Sequence, residues 1–150
     1  MSSMRGGVVI LMADDDEDDR LMARDALAET DLANDLRFVC DGVELLQYLR
    51  HEGPYSDAAD SPRPGLILLD LNMPRMDGRE ALEEIKADAE LRRIPVVVMT
   101  TSQADEDVLR SYDLGAASFI TKPITFAGLV TVMRGLGAYW IDLVHLPPGG

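Results

Sequence analysis

The sequence predicts an α/β fold in which five parallel strands form one sheet, in the order 2-1-3-4-5, with helices on both faces. Short apolar runs alternate along the chain with segments whose apolar residues recur at helical spacing, and residues typical of turns separate them. The length of 150 residues, of which 47% are hydrophobic, suits one domain with a sizeable core.

The predicted strands are short and mostly apolar, and the first is a continuous apolar run. That pattern is typical of strands buried on both faces of a sheet. The runs cover residues 8–13, 36–40, 66–69, 95–99 and 116–120. Because these strands alternate with helices, the connections between them are crossovers, and crossovers make the sheet parallel.

The predicted helices carry apolar residues three and four positions apart. The first follows the acidic run at 14–19, and the others cover about 43–49, 81–89, 104–114 and 125–143. Gly115 is a typical helix stop. The apolar stripe of the last helix starts at Phe126, which we expect in the core. Gly53-Pro54 and two further prolines indicate a surface loop at 51–65.

Composition and length limit the classes of function. We expect residues 1–7 to be disordered, residues 8–143 to form the domain and residues 144–150 to be a frayed tail, with no output domain. A net charge of −13 argues against binding to DNA or to anionic membranes. No apolar run is long enough to span a bilayer, and the run at 8–12 is too short for a secretion signal, so we expect a cytoplasmic protein. Cys40, the only cysteine, is expected to be a buried structural thiol.

Polar residues follow four of the predicted strands at their carboxyl ends: Asp14 and Asp15, Asp70, Thr100, and Lys122. Ligands of such sheets bind at that edge, so we expect these side chains to converge. Three clustered carboxylates repel one another, and a divalent cation such as Mg²⁺ removes the repulsion. A carboxylate can also attack a phosphoryl group, and Asp70, on the central strand, is the nucleophile we predict.

The chain resembles the response-regulator receiver family along most of its length. The motifs are the acidic pair at 14–15, the segment LLDLNMP at 68–74 with Asp77-Gly78, Thr100 after a β-branched run, Gly115-Ala116, Phe119 and Lys122-Pro123. The resemblance implies the flavodoxin-like receiver fold. It also implies a phosphoacceptor signalling domain rather than an enzyme, with Mg²⁺-dependent self-phosphorylation and dephosphorylation as its only reactions.

The resemblance implies how the acidic residues would act. Asp70 would accept a phosphoryl group from a sensor histidine kinase. Mg²⁺ would bind the side chains of Asp15 and Asp70 and the backbone carbonyl of Asn72, and Asp14 would act through water. Glu17 and Asp18 make this region more acidic than is usual in the family.

The resemblance also implies a switch. Thr100 and Lys122 would contact the phosphoryl group, and Phe119 would turn inward when Thr100 moves toward the phosphate, a two-state shift in population. Many relatives carry Tyr at this position, so the Phe119 side chain lacks the hydroxyl contact. The signal would then pass on through a change in interactions.

Within the family, the chain is most similar to single-domain regulators paired with phytochrome-type histidine kinases. The segments at 70–75 and 100–102 and the long C-terminal segment carry this similarity. It implies a phytochrome-type or other hybrid kinase as partner and a homodimer. Val132, Leu136, Tyr139 and Leu143 form a second apolar stripe on the last helix, where a dimer interface is expected.

Alternative functions use the same residues. The chain would serve as a phosphate sink or a phosphorelay shuttle if it had no output of its own. A haloacid dehalogenase-like phosphatase would use Asp14 as its nucleophile, and a Ca²⁺ loop would use Asp14, Asp16 and Asp18. A receiver-fold module that is never phosphorylated is the last alternative, but no active-site residue of the family pattern is missing.

Overall fold

In the computed structural model, residues 9–30, 35–101, 113, 115–123 and 125–136 are described. The strands are β1 (Val9–Ala13), β2 (Asp35–Val39), β3 (Leu66–Leu69), β4 (Val96–Thr100) and β5 (Ser118–Thr121). All pairings are parallel, and the sheet has the order β2-β1-β3-β4-β5. The predicted fold class and strand order are therefore confirmed.

Helices cover both faces of the sheet. They are α1 (Glu17–Ala28), α2 (Gly42–Arg50), α3 (Gly78–Ala87) and α4 (Phe126–Leu136). Leu11 and Ala13 of β1 pack into the core on the side of α2 and α3, whereas Ile10 and Met12 pack on the side of α1 and α4. This alternation explains why β1 is apolar along its length: its side chains from Ile10 to Ala13 lie alternately in the two cores.

Aspartate side chains cap three of the helices at their N-termini. Asp16 accepts hydrogen bonds from backbone N–H groups at the start of α1, and Asp41 does so for α2. Asp77 and Glu80 form a capping box at the start of α3. Because a capping carboxylate satisfies N–H groups that have no partner within the helix, these residues fix where each helix begins.

Several sequence-based expectations differ from the structure in detail. Strand limits shift by one or two residues, and the loop at 51–65 contains a 3₁₀ turn (Gly53–Tyr55). The helix predicted at 104–114 lies outside the described residues apart from residue 113, as do residues 1–7 and 144–150. None of the described helices is both long and apolar enough to cross a membrane.

Two expectations about burial are wrong. Cys40 is exposed, because β2 is an edge strand that ends at Val39 and Cys40 lies just beyond it. Phe126 is 42% exposed, because it is the first residue of α4 and precedes the part of that helix that packs on the sheet. Leu129, Met133 and Leu136 of the same helix lie in the core, as expected.

Gly78 marks the closest approach of α3 to the end of β3. A Cβ atom at this position would lie 2.2 Å from the carbonyl oxygen of Asp70. We therefore expect Gly78→Ala to lower the free energy of unfolding by about 3 kcal/mol, measured by urea denaturation, because the backbone must move to admit the methyl group.

Gly135→Ala is the matched control for this prediction, since nothing lies within 4 Å of its added Cβ. It should leave the stability unchanged or raise it by up to about 1 kcal/mol. Equal effects of the two substitutions would contradict this packing.

Candidate functional site

The sheet register brings the predicted site residues to one edge. The ladder continues one residue beyond β1 and β3: Asp14 N–H donates to the carbonyl of Val39 (3.0 Å), and Asp70 N–H donates to that of Ala13 (3.1 Å). Because Ala13 pairs with Leu69, Asp14 and Asp70 follow adjacent positions of the two neighbouring strands.

Lys122 reaches the same edge from the other side. Thr100 is the last residue of β4, and Lys122 N–H donates to its carbonyl at 2.9 Å. This bond holds Lys122 just past the end of β5, so that its side chain extends toward the acidic residues. Residues far apart in the chain therefore meet as the sequence predicts.

The Lys122 ammonium group is the centre of the cluster. Its Nζ donates to Asp14 Oδ2 at 2.7 Å, to Asp19 Oδ2 at 2.7 Å and to Asp70 Oδ2 at 3.0 Å. Asp14 is fully buried, and Asp70 is nearly so. Burial favours the neutral amine, but the hydrogen bonds with Asp14 and Asp19 outweigh it and raise the pKa of Lys122 above its usual range. The Lys122 side chain is therefore a positively charged ammonium group.

The chemistry and spacing of three carboxylates make them a candidate cation site. Carboxylate oxygens of Asp14, Asp15 and Asp70 lie within 4.8 Å of one another, with Asp15 exposed at the edge. Burial raises the pKa of Asp14 to about 6; the bonds from Lys122 and from the Asp16 N–H oppose this rise, and repulsion from Asp70 adds to it. Crowded carboxylates of this kind suit a divalent cation that prefers oxygen ligands.

Asn72 connects Asp70 to Thr100. Its backbone N–H donates to Asp70 Oδ1 at 3.1 Å, and its side-chain amide donates to Thr100 Oγ1 at 3.4 Å. Thr100 is fully buried. Phe119 lies half-buried on β5 and packs against the core on the side of α2 and α3. The ligand role of the Asn72 carbonyl and the switch roles of Thr100 and Phe119 stay predictions.

Asp19 is the member of the cluster that sequence reasoning missed. We noted Glu17 and Asp18 as the unusual acidic residues, but both are exposed on the first turn of α1. Asp19 lies three and four residues before Met22 and Ala23, which face the core, so it shares their face of the helix. That spacing is the signal that could have identified it.

The loop between β3 and α3 is tied to α2. Met76 accepts a hydrogen bond from the Gly42 N–H (2.9 Å), and Arg75 Nε donates to Asp41 Oδ2 at 2.8 Å. Burial would raise the pKa of Asp41, but the bonds from Arg75 and from the Glu44 N–H outweigh it and lower the pKa below its usual value. The part of the loop at Arg75 and Met76 is therefore anchored to the start of α2.

Comparison with known proteins assigns the chain to a family. The sequence matches the response regulator receiver domain over residues 10–134. The chain belongs to this receiver family. It is 40% identical over 139 residues to the response regulator Rcp1 of Synechocystis sp., which is 93% of this chain and 92% of Rcp1.

Solved receiver structures have the same fold. The phosphorylated cyanobacterial phytochrome response regulator RcpA has a TM-score of 0.87 and 41% identity, covering 94% of this chain and 99% of RcpA. The Mn²⁺-bound form of Rcp1 has a TM-score of 0.84 and 39% identity, covering 93% of this chain and 99% of that one. Response regulator RPA3017 in red light signalling of R. palustris has a TM-score of 0.88 and 33% identity, covering 93% and 98%.

These findings argue against two alternatives: a phosphatase with Asp14 as its nucleophile and a Ca²⁺ loop that begins at Asp14. Family membership removes the support for a haloacid dehalogenase-like phosphatase. The Ca²⁺-loop hypothesis is wrong, because Glu17–Ala28 is helical and Asp16 caps that helix. Asp18 therefore lies on a helix rather than in a metal-binding loop.

The pKa of Asp14 makes a prediction about stability. It is raised from 3.8 to about 6 in the folded protein, so the folded state binds more protons than the unfolded state between these values. In the absence of divalent cations, the free energy of unfolding should therefore fall as pH rises from 3.8 to about 6 and beyond. The Asp14→Asn variant lacks this contribution, because its side chain does not titrate. We expect the stability difference, Asp14→Asn minus wild type, to grow by about 1–3 kcal/mol between pH 5 and pH 7.5 in urea titrations with chelator present. Asp18→Asn is the control, because its side chain is exposed. A difference that stays constant with pH would contradict the raised pKa.

Proposed function

We propose that this chain is a two-component response regulator that accepts a phosphoryl group on Asp70 from a histidine kinase. One observation carries the proposal: the Asp70 carboxylate is held from both sides. One of its oxygens accepts from Lys122 and the other from the Asn72 N–H, while the Asp14 and Asp15 carboxylates are its neighbours. A carboxylate fixed in this way is oriented for attack on phosphorus.

The phosphoryl transfer needs few protein groups. A carboxylate oxygen of Asp70 attacks the phosphorus atom of a phosphohistidine; the P–O bond forms, the P–N bond breaks, and the imidazole nitrogen takes the electron pair. In the return step, water attacks phosphorus and the bond to the Asp70 oxygen breaks, which regenerates the carboxylate and releases phosphate. Positioning and charge neutralisation dominate such reactions, and Lys122 supplies a positive charge.

Asp15, Asp70 and the Asn72 backbone carbonyl would hold Mg²⁺, with Asp14 acting through water. When bound, the ion neutralises carboxylate and phosphoryl oxygens. Support comes from the spacing of the carboxylate oxygens and from the relative Rcp1, which is known in an Mn²⁺-bound form. The choice of Mg²⁺ rests on its preference for oxygen ligands and phosphate.

A response to phosphorylation would begin at Thr100. Its hydroxyl is connected to Asp70 through Asn72, and we propose that it moves to contact the phosphoryl group. Phe119 pairs with Val98 on the adjacent strand and would turn inward as space opens behind Thr100. The new charge at Asp70 would thus shift the population between two arrangements.

The proposed partner is a sensor histidine kinase of the phytochrome type, acting in the cytoplasm. Support comes from relatives of high similarity that are phytochrome or red-light response regulators. We further propose a homodimer formed through the C-terminal helix region. Of its predicted interface, Val132 and Leu136 pack on the chain's own core, and Tyr139 and Leu143 lie outside the described residues. The support that remains is the exposed Phe126 side chain on α4.

The phosphorylation site is tested by intact-protein mass spectrometry after incubation with a small phosphodonor. With Mg²⁺ present, the wild-type protein should gain the mass of one phosphoryl group, and chelation of the metal should prevent the gain. The label should be removed by hydroxylamine, as expected of an acyl phosphate. Asp70→Asn should carry no label, whereas Asp77→Asn, whose side chain caps α3, should label as the wild type does. Label that persists in Asp70→Asn would overturn the assignment.

The dimer is tested by light scattering with and without phosphodonor. We expect the mass of two chains for the wild type and of one chain for Phe126→Ser, because a large exposed apolar side chain stabilises an interface when it is buried there. Leu21→Ser is the matched control, since Leu21 on α1 is 41% exposed and Phe126 is 42% exposed. A monomeric wild type under both conditions would refute the dimer.

A further inference from the structure

We propose that Asp19 is a positioning residue that holds Lys122 in the resting protein and thereby slows the arrival of a phosphoryl group at Asp70. This inference rests on the proposed function, since it concerns the lysine that would stabilise the transferred group. It extends the site to a residue of α1 that lies on none of the strands.

The contacts show that Asp19 competes for the lysine. The distance from Lys122 Nζ to Asp19 Oδ2 is 2.7 Å, as short as that to Asp14 and shorter than the 3.0 Å to Asp70. One ammonium group is thus shared among three carboxylates, and the nucleophile receives the longest of the contacts. An incoming phosphoryl group must draw the ammonium group toward Asp70, away from Asp19.

The surroundings strengthen this competition. The Lys122 side chain is only 13% exposed and that of Asp19 is 34% exposed. Both line a small cleft whose other walls include Met12, Met22 and Met99. Apolar walls exclude water and weaken the screening of the ion pair. The pair should therefore be stronger than one formed on an open surface.

Asp19 should act through Lys122 rather than through general charge. Asp18 provides the comparison: it is the preceding residue on the same turn and carries the same charge, but it is exposed and contacts Asp16 through its backbone N–H. Substituting either residue with Asn removes one negative charge from the first turn of α1. Only the substitution of Asp19 releases the lysine.

The experiment measures the rate of Asp70 phosphorylation by phosphoramidate with Mg²⁺ present. The Asp70 oxygen attacks phosphorus, the P–N bond breaks, and the nitrogen leaves as ammonia after taking a proton. We expect Asp19→Asn to increase the rate about two- to fivefold, the size expected for loss of a partly exposed ion pair. Asp18→Asn should leave the rate unchanged. Asp19→Ala serves as a second variant, so that the result does not depend on the new amide.

A double-mutant cycle tests the route of the effect. In a Lys122→Gln background, Asp19→Asn should no longer change the rate, because the group that it releases is absent. The inference is overturned if Asp18→Asn and Asp19→Asn act equally, if Asp19→Asn slows the reaction, or if its effect persists without Lys122. Absence of any label on wild-type Asp70 would instead refute the proposed function, so the two failures are distinguishable.

Discussion

The ion pairs of Lys122 are the interaction on which the site depends. A fully buried carboxylate, that of Asp14, would be strongly unfavourable if it were unpaired, and Lys122 contacts it at 2.7 Å. The lysine also contacts Asp70 and Asp19, so that a single positive charge holds together residues from β1, β3 and α1. Negative charge still exceeds positive charge in the cluster, which is the condition that favours binding of a divalent cation.

The fold supports this arrangement by placing the reactive residues directly after two buried strands of the sheet. β1 and β3 are central strands that are buried throughout, with helices packed on both faces. Asp14 and Asp70 follow them directly, and their backbone N–H groups continue the sheet ladder. The backbone positions of Asp14 and Asp70 are therefore set by hydrogen bonds of the sheet, and the Lys122 side chain reaches both carboxylates.

Strand order and the convergence of Asp70 with its partners could be predicted because both follow from coarse patterns: apolar runs, alternation with helices and the polar residue at each strand end. The contact of Asp19 could be predicted only in part, because its spacing to Met22 and Ala23 gives its face of α1 but not the distance from its carboxylate to Lys122. The burial of Cys40 and Phe126 could not be predicted, because each lies at the end of an element, where burial changes within one residue.

Different interactions hold the two halves of the site: hydrogen bonds of the backbone on one side and ion pairs of side chains on the other. On the Asn72 side, backbone hydrogen bonds and the pair of Arg75 with Asp41 fix the loop to α2 and α3. On the opposite side, the side chains of Lys122 and Asp19 are held by their ion pair. The proposed phosphorylation of Asp70 would change the charge of the site. We therefore expect the ion pairs at the end of β5 and on the first turn of α1 to respond along with Thr100. Phe119 lies on β5, next to the half of the site that charge can move.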